Sequence, residues 1–597
     1  MKKLAKYLKP YWKTAVLAPV MMALEVFMQL VQPKYMASIV DFGIANGDVP
    51  FIIRTGLIMI VLTIIGVGGG IGATYFSSKA SQGFGADLRL DLFKKVQSLS
   101  FDELDKFRTA SLVTRLTNDV VQIQQVVLFA LRMLVRAPLL CIGGIVMALS
   151  LNYRLSLILL VTMPLLFLTV TLIVRKGFPL FAKVQERLDK VNTVMQENLS
   201  GVRVVKAFVR SDYENKRFAS VNEMLARITI KAARIMGLNM PAMMLIMNGT
   251  IIAILWFGGI NVNRGNMLVG EVMAYITYIT QILFSLMMLA FIFNMISRAK
   301  ASADRIVEVL NVESEIEEKI PGEEGQNEDY RGKAEASLAV IKTGPVIKGR
   351  VDFENVSFRY KWAKGDAILK NISFTAMPGE TVAIVGPTGS GKSTLVNLIP
   401  RFYEVTEGRI LLDGIDIREM DIVELRKNIG IVLQDTILFT GTIADNIRWG
   451  SEDATDEEIM EVAKIAQAHN FIMEFPDGYN TVLGQRGVNV SGGQKQRISI
   501  ARTLLKKPAV LIFDDSTSAV DMETELRIRH AMKNVVKNAT CFIIAQRIST
   551  VMNADKILVL ADGRIADMGT HEELLPRCRI YQDIYHSQLG GRMVFHG

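Results

Sequence analysis

The stretch that decides the fold of the second half of the chain is Val382-Ala-Ile-Val-Gly-Pro-Thr-Gly-Ser-Gly-Lys-Ser-Thr394. The apolar residues up to Val385 predict a buried strand, and the segment from Thr394 to Ile399 predicts a helix. A backbone that wraps a triphosphate needs glycines for close approach and a helix N-terminus that faces the anion. The sequence therefore predicts a phosphate-binding loop for ATP, with Lys392 at the β- and γ-phosphates. The expected nucleotide contacts in this loop are Gly386, Pro387, Thr388, Gly389, Ser390, Gly391, Lys392, Ser393 and Thr394.

A second apolar segment, Pro508-Ala-Val-Leu-Ile-Phe-Asp514, predicts a strand that ends in a carboxylate. In phosphate-loop ATPases, an aspartate at such a strand end and the hydroxyl group of the loop hold the magnesium ion of the nucleotide. We therefore expect Mg²⁺ at Ser393 and Asp514. Because strands and helices alternate from Val351 onward, this part of the chain is predicted to be an α/β P-loop ATPase domain.

The chain before residue 300 has a different character. With 597 residues, 50% of them hydrophobic, and a mean hydropathy of +0.29, the protein is too long for one domain and too apolar for a purely soluble protein. Six stretches are apolar over about the 20 residues that a bilayer requires, so an α-helical six-span domain among membrane lipids is expected. The predicted spans are Thr14–Val31, Ile53–Phe76, Leu134–Leu151, Leu155–Val174, Met236–Val262 and Val272–Ile296.

The distribution of basic residues predicts the orientation of these spans. Five lysines lie in residues 2–13, before the first span, whereas the short connections at 152–154 and 261–266 carry one arginine each. Positively charged segments stay on the cytoplasmic side of a membrane. The segments predicted to be cytoplasmic are the N-terminus, residues 77–133, residues 175–235 and everything after 297, including the C-terminus.

The long cytoplasmic segments are predicted to be helical, because apolar residues recur at helical spacing in Phe181–Asn198 and Asn215–Ala233. The spanning helices are therefore expected to continue well beyond the bilayer. Further along, residues 312–348 are acidic and offer little to bury, which predicts a linker. Its composition fits both a plain tether and a regulatory insert. The predicted domains are thus the transmembrane domain at 1–311, the acidic linker at 312–348 and the nucleotide-binding domain at 349–597.

The three cysteines, Cys141, Cys541 and Cys578, are far apart and show no C-x-x-C spacing. This arrangement argues against a disulfide framework and against a zinc site. We interpret them as reduced residues without a special role.

Glu25 lies inside the first predicted span. A carboxylate in hydrocarbon is costly, so it is expected to face protein or a water-filled cavity. Two interpretations remain open: a carboxylate that packs against a neighbouring helix, or a group that binds substrate or a proton. Arg132 and Arg136 are interpreted as markers of the membrane interface.

A third motif, Val490-Ser-Gly-Gly-Gln-Lys-Gln-Arg497, narrows the class of protein. Ser491, Gly492, Gly493 and Gln494 open a predicted helix and offer a second anion-binding N-terminus, which the phosphate loop does not need for itself. The glycine pair argues against Ser491 being only a helix cap.

This motif resembles the signature sequence of ABC transporters, and other marks of that family stand in the expected order. They are the aromatic Tyr360, Gln434 in Val-Leu-Gln-Asp, Gly484-Gln-Arg-Gly487, and Ser518-Ala-Val-Asp521 after the carboxylates. With six spans ahead of the ATPase, the chain is similar to half-transporters of bacterial multidrug-type exporters. The resemblance implies the exporter architecture (type IV, also called type I), with a helical signature subdomain and a location in the bacterial cell membrane.

The same resemblance implies a role for each motif. Tyr360 would stack on adenine, Gln434 would contact magnesium and couple the ATPase to the membrane helices, and the signature would clamp the nucleotide bound to a partner chain. Tyr360 as an ordinary strand aromatic and Gln434 as a surface polar residue are the alternatives. By resemblance the catalytic group would comprise Asp515, Gln546 and Gln434.

Two positions depart from the family pattern. The general base of the family is a glutamate, and Asp515 is shorter by one methylene, about 1.5 Å. The switch residue of the family is a histidine, whereas Cys541-Phe-Ile-Ile-Ala-Gln-Arg547 has Gln546 there, which has no titratable ring. The site is therefore expected to bind ATP but to hydrolyse it poorly.

An intact signature is useful only when a partner brings a competent phosphate site to it. The pattern thus resembles heterodimeric ABC exporters, in which the partner would supply the missing glutamate and histidine. The expected function is export of small amphipathic or hydrophobic substrates, with no nucleic-acid partner. An ATP-gated channel or sensor on the same scaffold and a slow homodimeric exporter are the alternatives. The spans exclude a soluble DNA-repair ATPase, and the sequence leaves the cargo open.

Overall fold

The computed structural model describes residues 2–312, 347–362, 365–516, 520–535, 539–545 and 547–589. These residues form two compact units. One contains the chain up to Phe93 together with Val113–Asn311, and the other contains Lys94–Leu112 together with the chain from Val312. Apart from its two ends, the predicted acidic linker lies outside the described residues.

The first unit is helical, with a 3₁₀ helix at Lys2–Tyr11 and π-helical turns at Ile39–Ile44 and Arg115–Asp119. The α-helices up to Asn311, of which α3 lies in the second unit, are α1 (Trp12–Ser38), α2 (Val49–Gln97), α3 (Phe101–Phe107), α4 (Thr109–Thr114), α5 (Val120–Leu151), α6 (Leu157–Ser200), α7 (Val202–Ala207), α8 (Ser211–Gly237), α9 (Asn239–Asn263) and α10 (Val269–Leu310).

The six predicted spans are confirmed. Within the described part of the chain, six helical segments are long and apolar enough to cross a membrane. Helices α6 and α8 also extend through the regions predicted to project beyond the bilayer. The six segments are Lys3–Ile44, Val49–Gln97, Thr109–Leu151, Leu157–Ser200, Ser211–Asn263 and Val269–Met288.

Small residues and buried tyrosines explain how these helices pack. A Cβ atom at Gly69 of α2 would lie 2.9 Å from the carbonyl oxygen of Met21 in α1, so only glycine permits this close crossing. Helix α10 buries Tyr275 and Tyr278 in the core. The hydroxyl of Tyr278 donates to the carbonyl oxygen of Leu30 at 2.8 Å, which satisfies a polar group that burial would otherwise penalise.

A buried carboxylate joins α5 and α10. Asp119, at the end of the π-helical turn before α5, accepts hydrogen bonds from Ser302 Oγ at 2.8 Å and from Arg305 Nε at 2.8 Å. Because breaking such a buried ion pair leaves a charge unpaired, this contact fixes the two helices to each other.

The second unit is an α/β domain with three sheets. The six-stranded sheet has the order β12-β11-β3-β10-β9-β6, parallel except for β12; the four-stranded sheet is antiparallel, β2-β1-β4-β5; and β7 pairs with β8. The strands are β1 (Val351–Phe358), β2 (Leu369–Ala376), β3 (Thr381–Val385), β4 (Glu407–Leu412), β5 (Ile415–Asp416), β6 (Ile429–Val432), β7 (Gly441–Thr442), β8 (Val482–Leu483), β9 (Val510–Asp514), β10 (Thr540–Ile544), β11 (Lys556–Ala561) and β12 (Arg564–Gly569).

Helices surround the parallel sheet, whose central strands are apolar because both faces are covered. They are α11 (Lys392–Leu398), α12 (Ile422–Lys427), α13 (Ile443–Arg448), α14 (Asp456–Ile465), α15 (His469–Met473), α16 (Gly492–Leu505), α17 (Met522–Val535), α18 (Ile548–Val551), α19 (His571–Arg577) and α20 (Arg579–Leu589). Helices α13 to α16 share a core built around Ile447, Ile459, Ile472 and Leu504, which is the predicted helical subdomain that carries the signature.

The register of the parallel strands positions the site. Ile544 of β10 lies beside both Ile384 of β3 and Asp514 of β9. The chain therefore leaves all three strands at one edge of the sheet, and ligands of such sheets bind at the carboxyl ends of the strands.

Helix α3 packs in this second unit, although the predicted boundaries place it in the transmembrane domain. The ring of Phe101 lies 4.5 Å from that of Phe402, centroid to centroid, and Tyr403 Oη donates to Asp105 Oδ2 at 3.0 Å. Glu103 closes a capping box on Ser100, which defines the start of the helix. A short element outside the ATPase sequence thus belongs to its packed body.

Candidate nucleotide site

The glycine-rich loop after β3 has the conformation that its sequence predicts. Gly386, Gly389 and Gly391 have φ angles of +156°, +84° and +96°. A Cβ atom at Gly386 would lie 2.1 Å from the carbonyl oxygen of Leu560, a contact that no side chain could make. The loop can therefore exist only with glycine at this position, and it brings the backbone close to whatever it encloses.

Lys392 opens α11 and bends back over the loop. Its Nζ donates to the carbonyl oxygens of Gly386 at 3.0 Å and Pro387 at 2.8 Å. Burial lowers the pKa of Lys392, and the nearby charges of Asp514 and Asp515 oppose this shift. The ammonium group is thus held inside the loop, where a phosphate would be an acceptor of opposite charge.

Ser393 and Asp514, predicted to hold magnesium, lie together. Ser393 Oγ donates to Asp514 Oδ1 at 2.8 Å. Burial raises the pKa of Asp514, and the hydrogen bond from Ser393 and the charge of Lys392 act in the opposite direction. A hydroxyl and a carboxylate are oxygen ligands of the kind that Mg²⁺ takes, so the donor set fits the ion.

Ser390 gives a second indication that the loop fits a ligand. Its Oγ atom is buried and has no hydrogen-bond partner among the described residues. A buried hydroxyl without a partner costs free energy unless a ligand supplies one. The loop therefore presents an unsatisfied donor in addition to its backbone N–H groups.

Asp515 and Gln434, two of the predicted catalytic residues, are also brought together. Gln434 Nε2 donates to Asp515 Oδ2 at 3.4 Å, a long hydrogen bond. Asp515 is 8% exposed, has a φ of +48°, and donates its N–H to the carbonyl oxygen of Ile544 at 3.0 Å. The third predicted catalytic residue, Gln546, lies outside the described residues.

Tyr360 lies in an aromatic cluster rather than alone on a strand. Its ring stacks on Trp362 at 5.3 Å and an interplanar angle of 25°, and meets Phe358 and Tyr403 edge to face. Its hydroxyl is 3.2 Å from Thr394 Oγ1, at the end of the phosphate loop. Trp362 was not among the predicted site residues, although it follows Tyr360 by two positions in the sequence; it is 60% exposed.

The signature motif caps α16. Ser491 Oγ accepts from the N–H of Gln494 at 3.3 Å, and Gln494 Oε1 accepts from the N–H of Ser491 at 2.8 Å. The serine therefore caps the helix, and Ser491 and Gly492 also remain exposed, so a second role of Ser491 in binding stays a prediction. Gly493 completes a helix N-terminus that is accessible from outside the unit.

The helix behind the signature is held firmly. Arg497 Nη1 donates to the carbonyl oxygen of Gln467 at 2.8 Å, and its guanidinium group lies 4.5 Å from the centre of the Phe471 ring. Burial lowers the pKa of Arg497. The motif is thus presented by a rigid helix.

Comparisons with known proteins agree with this geometry. Residues 16–287 match the family "ABC transporter transmembrane region", and residues 369–518 match the family "ABC transporter". The chain is 45% identical to the ABC transporter ATP-binding protein YfiB of Bacillus subtilis (strain 168), over 99% of each chain. It is 36% identical to the ATP-dependent lipid A-core flippase of Syntrophus aciditrophicus (strain SB), over 87% of this chain and 83% of the flippase.

A solved structure shares the whole architecture. The structure of a bacterial Atm1-family ABC exporter with ATP bound superposes with a TM-score of 0.76 and 28% identity, over 98% of each chain. Because a relative of 45% identity spans almost the whole chain and both domains match their families, the chain belongs to the ABC transporters, as a multipass membrane protein in which an exporter-type membrane domain is fused to an ATP-binding domain.

Proposed function

We propose that the chain is one subunit of a heterodimeric ABC exporter for amphipathic or hydrophobic substrates, and that its own ATP site holds nucleotide but hydrolyses it slowly. The observation that carries this proposal is the aspartate at position 515. The side chain is buried and lies at 3.4 Å from the amide of Gln434. A general base must reach the proton that it abstracts, and this carboxylate is shorter than a glutamate by about 1.5 Å.

The size of the defect favours a partner. Loss of a positioned general base slows a reaction roughly 10²–10⁴-fold. A homodimer would carry two such sites and would turn over slowly at both. A partner subunit with the family's glutamate and histidine would provide one competent site, and Gln546 supports this proposal because an amide replaces the histidine there.

The binding half of the site has no such defect. Lys392 folds over the phosphate loop and Ser393 contacts Asp514, which supports binding of a nucleotide and its magnesium ion there, and Tyr360 and Trp362 offer an aromatic surface for adenine. When bound, Mg²⁺ would neutralise charge on the β- and γ-phosphates, with Ser393, Asp514 and Gln434 as its protein contacts. The chain is therefore suited to retain ATP.

The signature completes the proposal. Ser491, Gly492, Gly493 and Gln494 form a helix N-terminus whose first two residues are exposed, and its partial positive charge favours a phosphate. In the heterodimer this N-terminus would face the nucleotide of the partner. ATP binding would close the two ATPase domains, and the change would pass to the membrane helices, with both termini in the cytoplasm.

The proposed cargo class rests on the membrane unit and on the relatives. One relative of 36% identity is named as a lipid A-core flippase, and lipid A core is amphipathic. Apolar side chains and methionines line much of the spanning helices, which suits varied apolar cargo. An ATP-gated channel or sensor would use the same scaffold, but it would produce ion current without vectorial movement of a substrate.

The test compares the purified chain alone with its variant Lys392→Ala, which serves as the reference for ATP binding and hydrolysis. The chain should bind ATP with magnesium and hydrolyse it very slowly, and the variant should bind ATP about 10-fold more weakly. Brisk ATP hydrolysis by a verified homodimer of this chain would contradict the heterodimer and would favour the homodimeric exporter. Transport of a labelled amphiphile into vesicles, measured with the partner present, then separates a pump from a channel.

A further inference from the structure

A cavity of about 770 Å³ lies in the membrane unit between α1, α2 and α5. Its wall is polar in an otherwise apolar region, with Glu25 and Gln29 from α1, Thr74 and Tyr75 from α2, and Arg132 and Arg136 from α5. Met28, Val67 and Ile71 form apolar parts of the same wall. The volume is in the range of sites for small molecules, and the mixed wall suits an amphiphile.

One ion pair accounts for part of this polar wall. Arg136 Nη1 donates to Glu25 Oε1 at 2.6 Å, and Arg136 Nη2 donates to Gln29 Oε1 at 3.2 Å. Gly70 makes room for the carboxylate, because a Cβ atom there would lie 3.0 Å from Glu25 Oε2. Of the two interpretations of Glu25, the contact with a neighbouring helix is therefore the one seen, and Arg136 is its partner.

Arg132 is left without a counterpart. It lines the cavity one helical turn from Arg136, and the described residues give it no hydrogen bond or ion pair. Two arginines and one glutamate line the cavity, so their formal charges sum to +1. An unpaired arginine inside a membrane costs free energy, and such residues usually face water or bind a ligand.

The depth of the cavity makes this charge more significant. Glu25 is twelve residues after Lys13 along α1, which at about 1.5 Å per residue corresponds to about 18 Å. That distance is more than half of a hydrocarbon core about 30 Å thick. Counted from Lys13, Glu25 and its partner Arg136 therefore lie more than halfway along the predicted span; Arg132 and Arg136 were interpreted from the sequence as markers of the membrane interface.

We propose that this cavity binds the anionic headgroup, a carboxylate or a phosphate, of a substrate amphiphile, with Arg132 as the residue that contacts it. A guanidinium group presents two parallel N–H donors to such an oxyanion. Glu25 and Gln29 hold Arg136 and leave Arg132 as the charge for the ligand. The proposal rests on the proposed export function, because it defines which amphiphiles the exporter would accept.

The test measures binding to the full-length chain in phosphatidylcholine nanodiscs without nucleotide. The probes are a fluorescent twelve-carbon fatty acid and an amine with the same labelled tail. Wild type should bind the acid at least about 10-fold more tightly than the amine, since a charged hydrogen bond contributes at least that much. Arg132→Gln should weaken acid binding about 10-fold or more, and Arg154→Gln, which changes an exposed arginine outside the cavity, should leave it unchanged.

Several outcomes decide the proposal. Equal binding of the acid by wild type and Arg132→Gln would overturn it, as would tighter binding of the amine that Glu25→Gln abolishes. Arg132→Lys keeps the charge and should recover part of the affinity; if Lys and Gln lose it equally, Arg132 only packs. ATP binding by each variant verifies that the chain is folded.

Two further measurements identify the source of the headgroup and distinguish failure of the headgroup site from failure of the proposed export function. If bilayer phospholipids occupy the site, phosphatidylglycerol in the nanodisc should compete with the fatty acid for binding to wild type. If it does not compete, single-chain acids are the ligands. Both results support the headgroup site. Because binding needs neither partner nor ATP, failure of ATP-driven transport would refute the exporter alone. Transport that ignores Arg132 would refute the headgroup site alone.

Discussion

The phosphate loop and the signature are two helix N-termini on one chain, and they are built in opposite ways. At the loop, the left-handed Gly391 precedes α11, and Lys392 is turned inward onto the carbonyl oxygens of Gly386 and Pro387. At the signature, Ser491 caps α16 through its own side chain and stays exposed. The first helix N-terminus is covered by its own loop and lysine, whereas the second is exposed to the outside of the unit.

The comparison also separates what is intact from what is altered. In the proposed function the residues of both binding surfaces match the family pattern, whereas Asp515 and Gln546 depart from it and are proposed to slow hydrolysis at the enclosed site. We infer that the chain contributes to two composite sites. Its phosphate loop retains ATP in one site, and its signature completes the other site. Substitutions at the phosphate-loop site and at the signature should therefore have unequal effects.

The largest effect is expected from Ser491→Arg in the heterodimer. A bulky cation at the exposed N-terminus of α16 would displace the partner's nucleotide, so ATP turnover should fall about 100-fold or more. Asp515→Asn should reduce turnover by less than about threefold, because its site contributes little hydrolysis. Steady-state phosphate release measures both.

The matched control is Ser451→Arg, which places the same side chain at an exposed turn of the helical subdomain. It should leave turnover unchanged. Complete loss of turnover from Asp515→Asn would mean that the aspartate is a working base and that the two halves do not differ.

The second prediction concerns restoration of the family residues at positions 515 and 546. Asp515→Glu together with Gln546→His should raise ATP hydrolysis by the chain alone, about 10- to 100-fold, since the longer carboxylate would reach the attacking water. Asp515→Glu with Lys392→Ala provides the control, because it restores the base in a site whose ATP binding is weakened; at an ATP concentration well below its dissociation constant it should gain less. If Asp515→Glu with Gln546→His hydrolyses ATP no faster, another step limits hydrolysis. The short side chain of Asp515 would then not explain slow turnover.

The third prediction concerns the holding role. Lys392→Ala should weaken ATP binding at this chain's site about 10-fold, because a charge-assisted hydrogen bond to phosphate is lost. With ATP present and turnover blocked, the fraction of closed ATPase domains should fall. Spin-label distances across the ATPase interface measure this fraction, and Lys464→Ala, an exposed lysine on α14, is the control. An unchanged closed fraction would contradict a role of retained ATP in closure.

The sequence predicts the enclosed site well because its parts are close in sequence or lie at strand ends. A strand, a loop and a helix follow one another at the phosphate loop, so local rules suffice. Asp514 and Ser393 were predicted together as ligands of one magnesium ion, and the 2.8 Å contact between them agrees with their proximity. The six spans are equally local, since each one is a continuous apolar stretch.

Contacts between distant segments were not predictable in this way. Glu25 and Arg136 are 111 positions apart, and no spacing rule pairs them; Arg136 was expected at the membrane interface instead. Tyr403 and Asp105 are 298 positions apart, and α3 packs with the ATPase although it lies between two spans. Such pairs depend on how whole helices are placed, which composition and periodicity do not specify.

The smallest effect is expected at Tyr403, which links the enclosed half to α3. Its hydroxyl donates to Asp105 at 3.0 Å, and its ring meets Tyr360 at 5.1 Å. Tyr403→Phe should lower the free energy of unfolding by about 1 kcal/mol at neutral pH, the usual contribution of one hydrogen bond. Hydrogen exchange should become a few-fold faster in Phe101–Phe107.

The pH dependence of this effect has a definite sign. Burial, and then the charge of Asp105, raises the pKa of Tyr403 above its ordinary value near 10. Above pH 10 the unfolded chain therefore loses this proton before the folded chain does, so the stability that Tyr403 contributes decreases as the pH rises further. Tyr403→Phe should remove that part of the alkaline loss, as measured by thermal unfolding of the full chain.

The control for hydrogen exchange is Tyr479→Phe. The hydroxyl of Tyr479 contacts His469 at 2.9 Å on the signature side, so this variant should not change exchange in α3. Equal acceleration of exchange in α3 by both variants would mean that Tyr403 stabilises the unit in general, and the link from α3 to the enclosed half would then be lost.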